Sequence, residues 1–167
     1  MPNGADRIMV QTGTPDSIMT SVRDSLRANL SGQDPNSKLT RSTSEWIFCS
    51  ANEDFPTNFG LPYIDIVLVD CPMHGNIDRD VSVLCPMRLQ FLVRADKSSH
   101  RNTLRDAIPN SLTLQNSSHH ITWNSVVDGR EDTKRYTDKP QHGTGPVFNK
   151  FYTSLLIGTV EFTRNWS

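Results

Sequence analysis

The side chains of this chain best suited to nucleophilic, acid–base or metal chemistry are five histidines, three cysteines and a run of aspartates. The histidines are His74, His100, His119, His120 and His142, and they form no HxH, HExxH or Cys/His ligand spacing. His119 and His120 are adjacent, and neighbours on a strand point to opposite faces, so the two cannot hold one metal ion together. Each histidine reads as structural or surface-borne. Asp65, Asp70, Asp78 and Asp80 could form a carboxylate pair or a hard-cation site, and His74 could serve the Asp70–Asp80 turn in acid–base work. Aspartate is ordinary in such strands and turns, however, so no metal and no cofactor is expected. Cys49, Cys71 and Cys85 are odd in number and lack CxxC spacing, as suits small buried residues in a reducing compartment. No GxSxG, Walker loop or GxGxxG follows a strand. Gly143-Thr144-Gly145-Pro146 lacks both the spacing and the helix that a phosphate loop needs. The expectation is a protein with no catalytic residue, not an enzyme.

Binding chemistry is equally sparse. Seventeen basic and 18 acidic residues leave a net charge of -1, which gives no global electrostatic case for gripping nucleic acid or an anionic membrane. Single-strand binding would need aromatics interleaved with basic residues. Trp123 has no such company, and Trp46 and Phe48 read as core. The N-terminus is polar and lacks the apolar centre of a signal peptide, and the run Ile64 to Val69 is far too short to span a bilayer. A soluble protein made in a cytoplasm is expected.

The elements that would position these residues centre on the stretch from Val81 to Ile108. Val81, Val83, Cys85, Met87, Leu89, Phe91 and Val93 alternate with Ser82, Leu84, Pro86, Arg88, Gln90, Leu92 and Arg94. That period of two marks a long strand with one buried face. Asp96 to Ser99 then offers capping side chains for a short helix carrying Leu104, Ala107 and Ile108, which Pro109 is expected to stop.

Upstream, Thr14-Pro15-Asp16 starts an amphipathic helix with Ile18, Met19, Val22, Leu26 and Leu30 on one face, and Gly32 closes it. Glu45 to Ser50 and Tyr63 to Val69 read as strands, the second with Ile64, Ile66 and Leu68 inward and Asp65 exposed or paired. Downstream, His120 to Asp128 alternates with Ile121, Trp123, Ser125 and Val127 facing one way. The last strand, Phe148 to Arg164, carries Tyr152, Leu156, Val160 and Phe162 on one face and Phe151, Leu155 and Ile157 on the other. Apolar residues on both faces imply that it is covered twice, and the second cover could be another subunit.

These elements make one α+β domain over residues 14–167: a mostly antiparallel β-sheet packed by two α-helices. It carries an extended N-terminal arm (1–13) and a long polar β-excursion or loop (128–146). The arm's apolar residues Ile8 and Val10 could anchor it against a neighbour. On the sheet, Arg88, Gln90 and Arg94 are candidate inter-subunit positions. In the polar excursion, Arg130, Glu131, Lys134, Arg135, Tyr136 and Lys139 are candidates for the same role.

From Pro15 to Trp166 this order of elements resembles the tail terminator and related neck or tail-completion proteins of long-tailed bacteriophages. The matching parts are the helix Pro15 to Leu30, the proline-led strand Leu61-Pro62-Tyr63-Ile64-Asp65-Ile66-Val67, and a strand ending Leu89-Gln90-Phe91-Leu92-Val93. The short helix Ser99 to Ile108 and the strand Leu155 to Phe162 complete it. The resemblance implies a structural virion protein, assembled in the host cytoplasm, that forms a homo-oligomeric and typically hexameric ring. Such a ring caps the tail tube, joins it to the head-side connector, touches neighbouring tube and neck proteins, and lets DNA pass without sequence-specific binding. It implies no catalytic residue. Two other readings stand beside it. One is a cytosolic α+β domain binding a small molecule or peptide; the other is a different phage ring protein, such as a tail tube or head-closure subunit.

Overall fold

Thr14 caps the first helix. Its hydroxyl accepts from the Ser17 N–H at 3.2 Å while the Ser17 hydroxyl accepts from the Thr14 N–H at 2.9 Å, a reciprocal cap that starts α1 (Pro15–Asn29). Pro15 costs nothing at the first helical position, where its N–H would have no partner. Ile18, Met19, Val22 and Leu26, followed by Leu30, are all buried, so the helix presents the face its periodicity requires. Gly32 adopts a left-handed φ of 76° just past the helix end.

The computed structural model describes residues 11–72, 83–113, 115–117, 119–135 and 147–164, with backbone alone at 11–12, 83–84, 132–135, 147–149 and 163–164. Among these residues six strands and two α-helices make an α+β fold. The strands are β1 (Gln11–Thr12), β2 (Ile47–Phe48), β3 (Tyr63–Asp70), β4 (Val83–Ala95), β5 (Ile121–Arg135) and β6 (Val147–Arg164). The sheet order is β1-β6-β4-β3-β2, with β5 also paired to β6. β3, β4, β6 and β5 are joined antiparallel, whereas β1 runs parallel to β6 and β2 parallel to β3. The sheet is therefore mixed. Its parallel members are two residues long, too short to write an alternating pattern into the sequence.

One face of this sheet carries the core. Cys85, Met87, Leu89, Phe91, Val93, Leu156, Val160 and Phe162 line it, with Ile64 and Ile66 from β3. Both helices close over it: Ile18, Met19, Val22 and Leu26 of α1, Leu30 just past its end, and Leu104 and Ile108 of α2 (Ser98–Ser111) belong to the same buried cluster.

Several local expectations are corrected. Pro109 lies inside α2, which runs on to Ser111; near a C-terminus, proline forfeits one hydrogen bond without ending the turn. The strand expected over Glu45–Ser50 shrinks to Ile47–Phe48, because Thr43–Glu45 forms a 3₁₀ turn with Glu45 capping the Ser42 N–H. A bulge between Trp123 and Ser125 breaks the expected face of β5. Ile121 and Trp123 lie with the core, but Val126, opposite Leu156, takes over that side, and Ser125 and Val127 turn to the other. The polar excursion is strand as far as Arg135, which pairs with Val147; 136–146 lie outside the described residues. So do 1–10, although the arm's end, Gln11–Thr12, joins the sheet as β1. Val81 and Ser82, expected to begin the long strand, and His74, Asp78 and Asp80, expected in a turn, also lie outside them.

Candidate functional site

The second face of the sheet is where the sequence-nominated residues gather. Register places Tyr63, Arg94, Thr153 and Gly129 in one cross-strand row and Asp65, Leu92, Leu155 and Val127 in the next. Val67, Gln90, Ile157 and Ser125 follow, and Asp70, Arg88, Thr159 and Thr122 close the series. Both helices pack on the opposite side, and the middle of this face stays open. Val67, Leu92, Leu155 and Ile157 are only half-buried, and Val127 is 57% exposed. A strand such as β6, apolar toward both sides, is what a sheet covered twice requires. Here only one cover is present among the described residues.

Ion pairs border this apolar centre at both ends. Arg88 pairs through two guanidinium nitrogens with Asp70, the Nε contact being 2.8 Å, and both side chains are solvent-exposed. The hydrogen bond from Arg88 holds the Asp70 carboxyl below its ordinary range, and Asp70 in turn raises Arg88. At the other end Arg94 donates to Glu131 at 2.6 Å and to the Tyr63 hydroxyl at 3.4 Å, and its guanidinium lies 4.4 Å over the Phe151 ring. The Tyr63 hydrogen bond and the Glu131 charge keep Arg94 protonated against its partial burial. Gln90 sits half-buried between Val67 and Ile157, as its register dictates.

At the β2–β3 margin the same face carries an aromatic group. Phe48 stacks on Tyr63 at 5.5 Å and meets Phe55 at 5.7 Å edge-on, and Phe59 lies 5.4 Å from Phe55. Phe55 and Phe59 are 64% and 47% exposed. The loop bearing them is held hard. Glu53 accepts from the Cys49 N–H at 2.8 Å and pairs with Arg27 and Arg23 of α1. Burial opposes the Glu53 charge, but the Cys49 N–H and the two arginines outweigh it and lower its pKa. A second anchor is Arg41, whose fully buried side chain binds Asp34 through two nitrogens at 2.8 Å and the Gly60 and Pro62 carbonyls at 2.7 and 3.0 Å.

The structure brings Arg88, Gln90, Arg94 and Glu131 onto this one face. Arg130, opposite Tyr152, is exposed on the other side of β5. Lys134 and Arg135 take ladder positions opposite Phe148 and Val147. Ile8, Val10, Tyr136 and Lys139 lie outside the described residues. Sequence reasoning missed Phe55, Phe59 and Val127. The signal for the first two was two phenylalanines in a polar loop; for Val127 the bulge at Trp123 concealed it. Asp70 and Tyr63, the partners of Arg88 and Arg94, lie on a neighbouring strand and leave no mark of pairing in the sequence.

Those of the residues first considered for chemistry that are described remain apart. Asp65 is spent on Ser50, accepting from its N–H at 2.9 Å and its hydroxyl at 2.6 Å. Burial and the Glu53 charge push the Cys49 thiol up to about 11, leaving it protonated and unreactive at neutral pH. His119 is buried while His120 is exposed, so the pair diverges as adjacent residues should. Among the described residues no group of three or more histidine, cysteine or carboxylate side chains could hold a metal ion, and no helix is long and apolar enough to cross a membrane. No known family model matches this chain, and no curated protein matches it in sequence.

Proposed function

We propose that this protein is a structural ring subunit of a phage tail or neck, a tail terminator that caps the tail tube and meets the head-side connector. The observation that carries this reading is the open second face of the sheet. An apolar centre, half-buried Leu92, Leu155 and Ile157 with exposed Val127, between the ion pairs Arg88–Asp70 and Arg94–Glu131 has the anatomy of a protein interface: apolar middle, polar rim. Each end of the rim holds one positive and one negative partner. A balanced surface of that kind suits another copy of itself better than a strongly charged ligand.

The β5–β6 ribbon adds a second support. β4 leaves β6 at Tyr152, yet β5 stays paired with β6 from Phe151 back to Val147. Two strands alone are marginal in water, so a ribbon reaching past its own sheet is best held by a neighbouring subunit. A net charge of -1 suits a ring through which DNA must slide without being gripped. In this role the protein works as a homo-oligomer, hexameric in the resemblance that suggests it, and carries no catalytic group.

Sedimentation velocity with negative-stain imaging tests the reading. The expected result is a closed ring that dissociates when Leu155→Asp and Ile157→Asp charge the open face. A chain that stays monomeric at high concentration, alone and with purified tail tubes, would sink it.

A further inference from the structure

Two phenylalanines are held in water by a loop that is braced at both ends. Phe55 is 64% and Phe59 47% exposed, with ring centroids 5.4 Å apart and edge-on. Every residue of this loop falls within the described stretch 11–72. Glu53, tied to the Cys49 N–H and to Arg23 and Arg27 of α1, fixes its start. Arg41, on the Gly60 and Pro62 carbonyls, fixes its end. Between these anchors the two rings rest on Phe48 and Tyr63. Exposed aromatic rings on a rigid support make strong anchors for a protein contact, because little ordering is left to be done on binding.

We infer that this loop is the surface one subunit presents to the next, with Phe55 and Phe59 of one copy packed on Leu92, Leu155, Ile157 and Val127 of another. The inference rests on the ring reading and names the partner of the open face. Size agrees. Leu92, Leu155 and Val127 stand side by side across three strands, about 10 Å, and Ile157 lies about 7 Å further along. Two rings 5.4 Å apart cover a patch of that width.

The loop does not reach the apolar centre of its own subunit. Phe48, on which it rests, takes the ladder position opposite Asp65, in the same row as Leu92 and Leu155. Asp65 and its hydrogen bonds to Ser50 therefore stand between the rings and that centre. With the loop braced, the two patches meet only between copies. Charge agrees as well. From Ser50 to Gly60 the loop carries two acids and no base. Glu53 is engaged by α1, whereas Asp54, beside Phe55, is exposed and makes no ion pair among the described residues. The open face offers Arg88 and Arg94 at its two ends. A contact between unlike patches, repeated head to tail, is the kind that closes a ring.

Sedimentation velocity of the full chain tests the pairing. Phe55→Asp is expected to weaken self-association about tenfold or more, with an unchanged far-ultraviolet spectrum and urea midpoint. Phe55→Ser, which adds no charge, should act in the same direction and guards against a misfolded aspartate variant. Mixing Phe55→Asp with Leu155→Asp gives the sharper result. Each variant keeps the patch the other has lost, so two monomeric chains at high concentration should form a one-to-one dimer and stop there. A mixture that stays monomeric overturns the pairing. Parent and Phe55→Asp rings of equal stability overturn it too, and leave the ring reading standing. A parent that forms dimers or open chains but never a ring, and loses them on Phe55→Asp, keeps the pairing and sinks the ring. A parent that is monomeric throughout sinks both.

Discussion

The two faces of the sheet are built from the same four long strands and obey opposite rules. Toward the helices, every position from Cys85 to Ala95 on β4 is fully buried and apolar, and Leu156, Val160 and Phe162 match it on β6. Toward the open side, one residue along each strand, Arg88, Gln90, Leu92 and Arg94 alternate charge with apolar surface, and Leu155 and Ile157 stay half-exposed. The first pattern is that of a finished core. The second has too much apolar surface for a solvated face and too many ion pairs for a core. A surface of this mixed kind is consistent with one that is hidden only part of the time or only in an assembly.

The sharpest contrast comes from truncating a residue of the helix-bearing face. Phe91→Ala removes a fully buried ring that touches Trp123 and the centre of the cluster. It should cost about 3–5 kcal/mol, read as a lowered denaturation midpoint at unchanged slope. A smaller loss, or a changed slope, would mean that this face is not the single cooperative core described above.

Next in size is Arg41→Met. It strands Asp34, whose carboxylate receives both guanidinium contacts, and it frees the Gly60 and Pro62 carbonyls. Breaking a buried pair from one side costs about 3 kcal/mol or more. The double variant Arg41→Met, Asp34→Leu should recover much of that in urea unfolding, because the penalty is the uncompensated charge and not the lost attraction.

Much of the helix-bearing face was legible in the sequence and little of the open face was. Period-two apolar runs such as Cys85 to Val93 are dictated by the pleat, and Thr14-Pro15-Asp16 announces a helix start through a capping hydroxyl, a proline suited to the first turn and an acid beside it. Arg88, Gln90 and Arg94 could be placed on the opposite face for the same reason. Their partners could not, because Asp70 and Tyr63 meet them through a register set by a bulge between Leu68 and Asp70 and by turn geometry. The bulge at Trp123 has the same effect on β5: one extra residue exchanges Val126 for Val127, and no pattern in the sequence marks it. The parallel pairings of β1 and β2 depend on long connections and two-residue contacts, which carry no periodic signal at all.

His119 gives a third, smaller effect. It is buried at the turn into β5, and burial lowers its pKa from the ordinary 6.5. The unfolded chain therefore binds the proton first, so stability is complete above pH 6.5 and falls as pH drops below it. The slope is at most about 1.4 kcal/mol per pH unit until the folded-state histidine titrates as well. His119→Leu should flatten that part of the profile, measured as denaturation midpoint against pH. An unchanged slope would assign the acid sensitivity to other groups.

On the open face the effects on the isolated subunit should be smaller still, and that is where the two faces can be told apart. Leu155→Asp should change monomer stability by about 1 kcal/mol or less, since the site is half-exposed, while abolishing ring assembly in sedimentation. Arg88→Ala marks the lower limit. Both it and Asp70 are exposed, so the pair is screened by water and salt and its loss should shift the unfolding midpoint within about 0.5 kcal/mol. If the face is an interface, the same substitution acts where the midpoint cannot see it. In the proposed ring, Arg88 and Asp70 would lie at the rim of a desolvated patch, and removing one charge should weaken association and make it less sensitive to salt. A monomer-neutral, salt-dependent loss of assembly would give the pair a role that its exposure alone denies it. An Arg88→Ala chain assembling like the parent at every ionic strength would return the pair to the ordinary solvated surface.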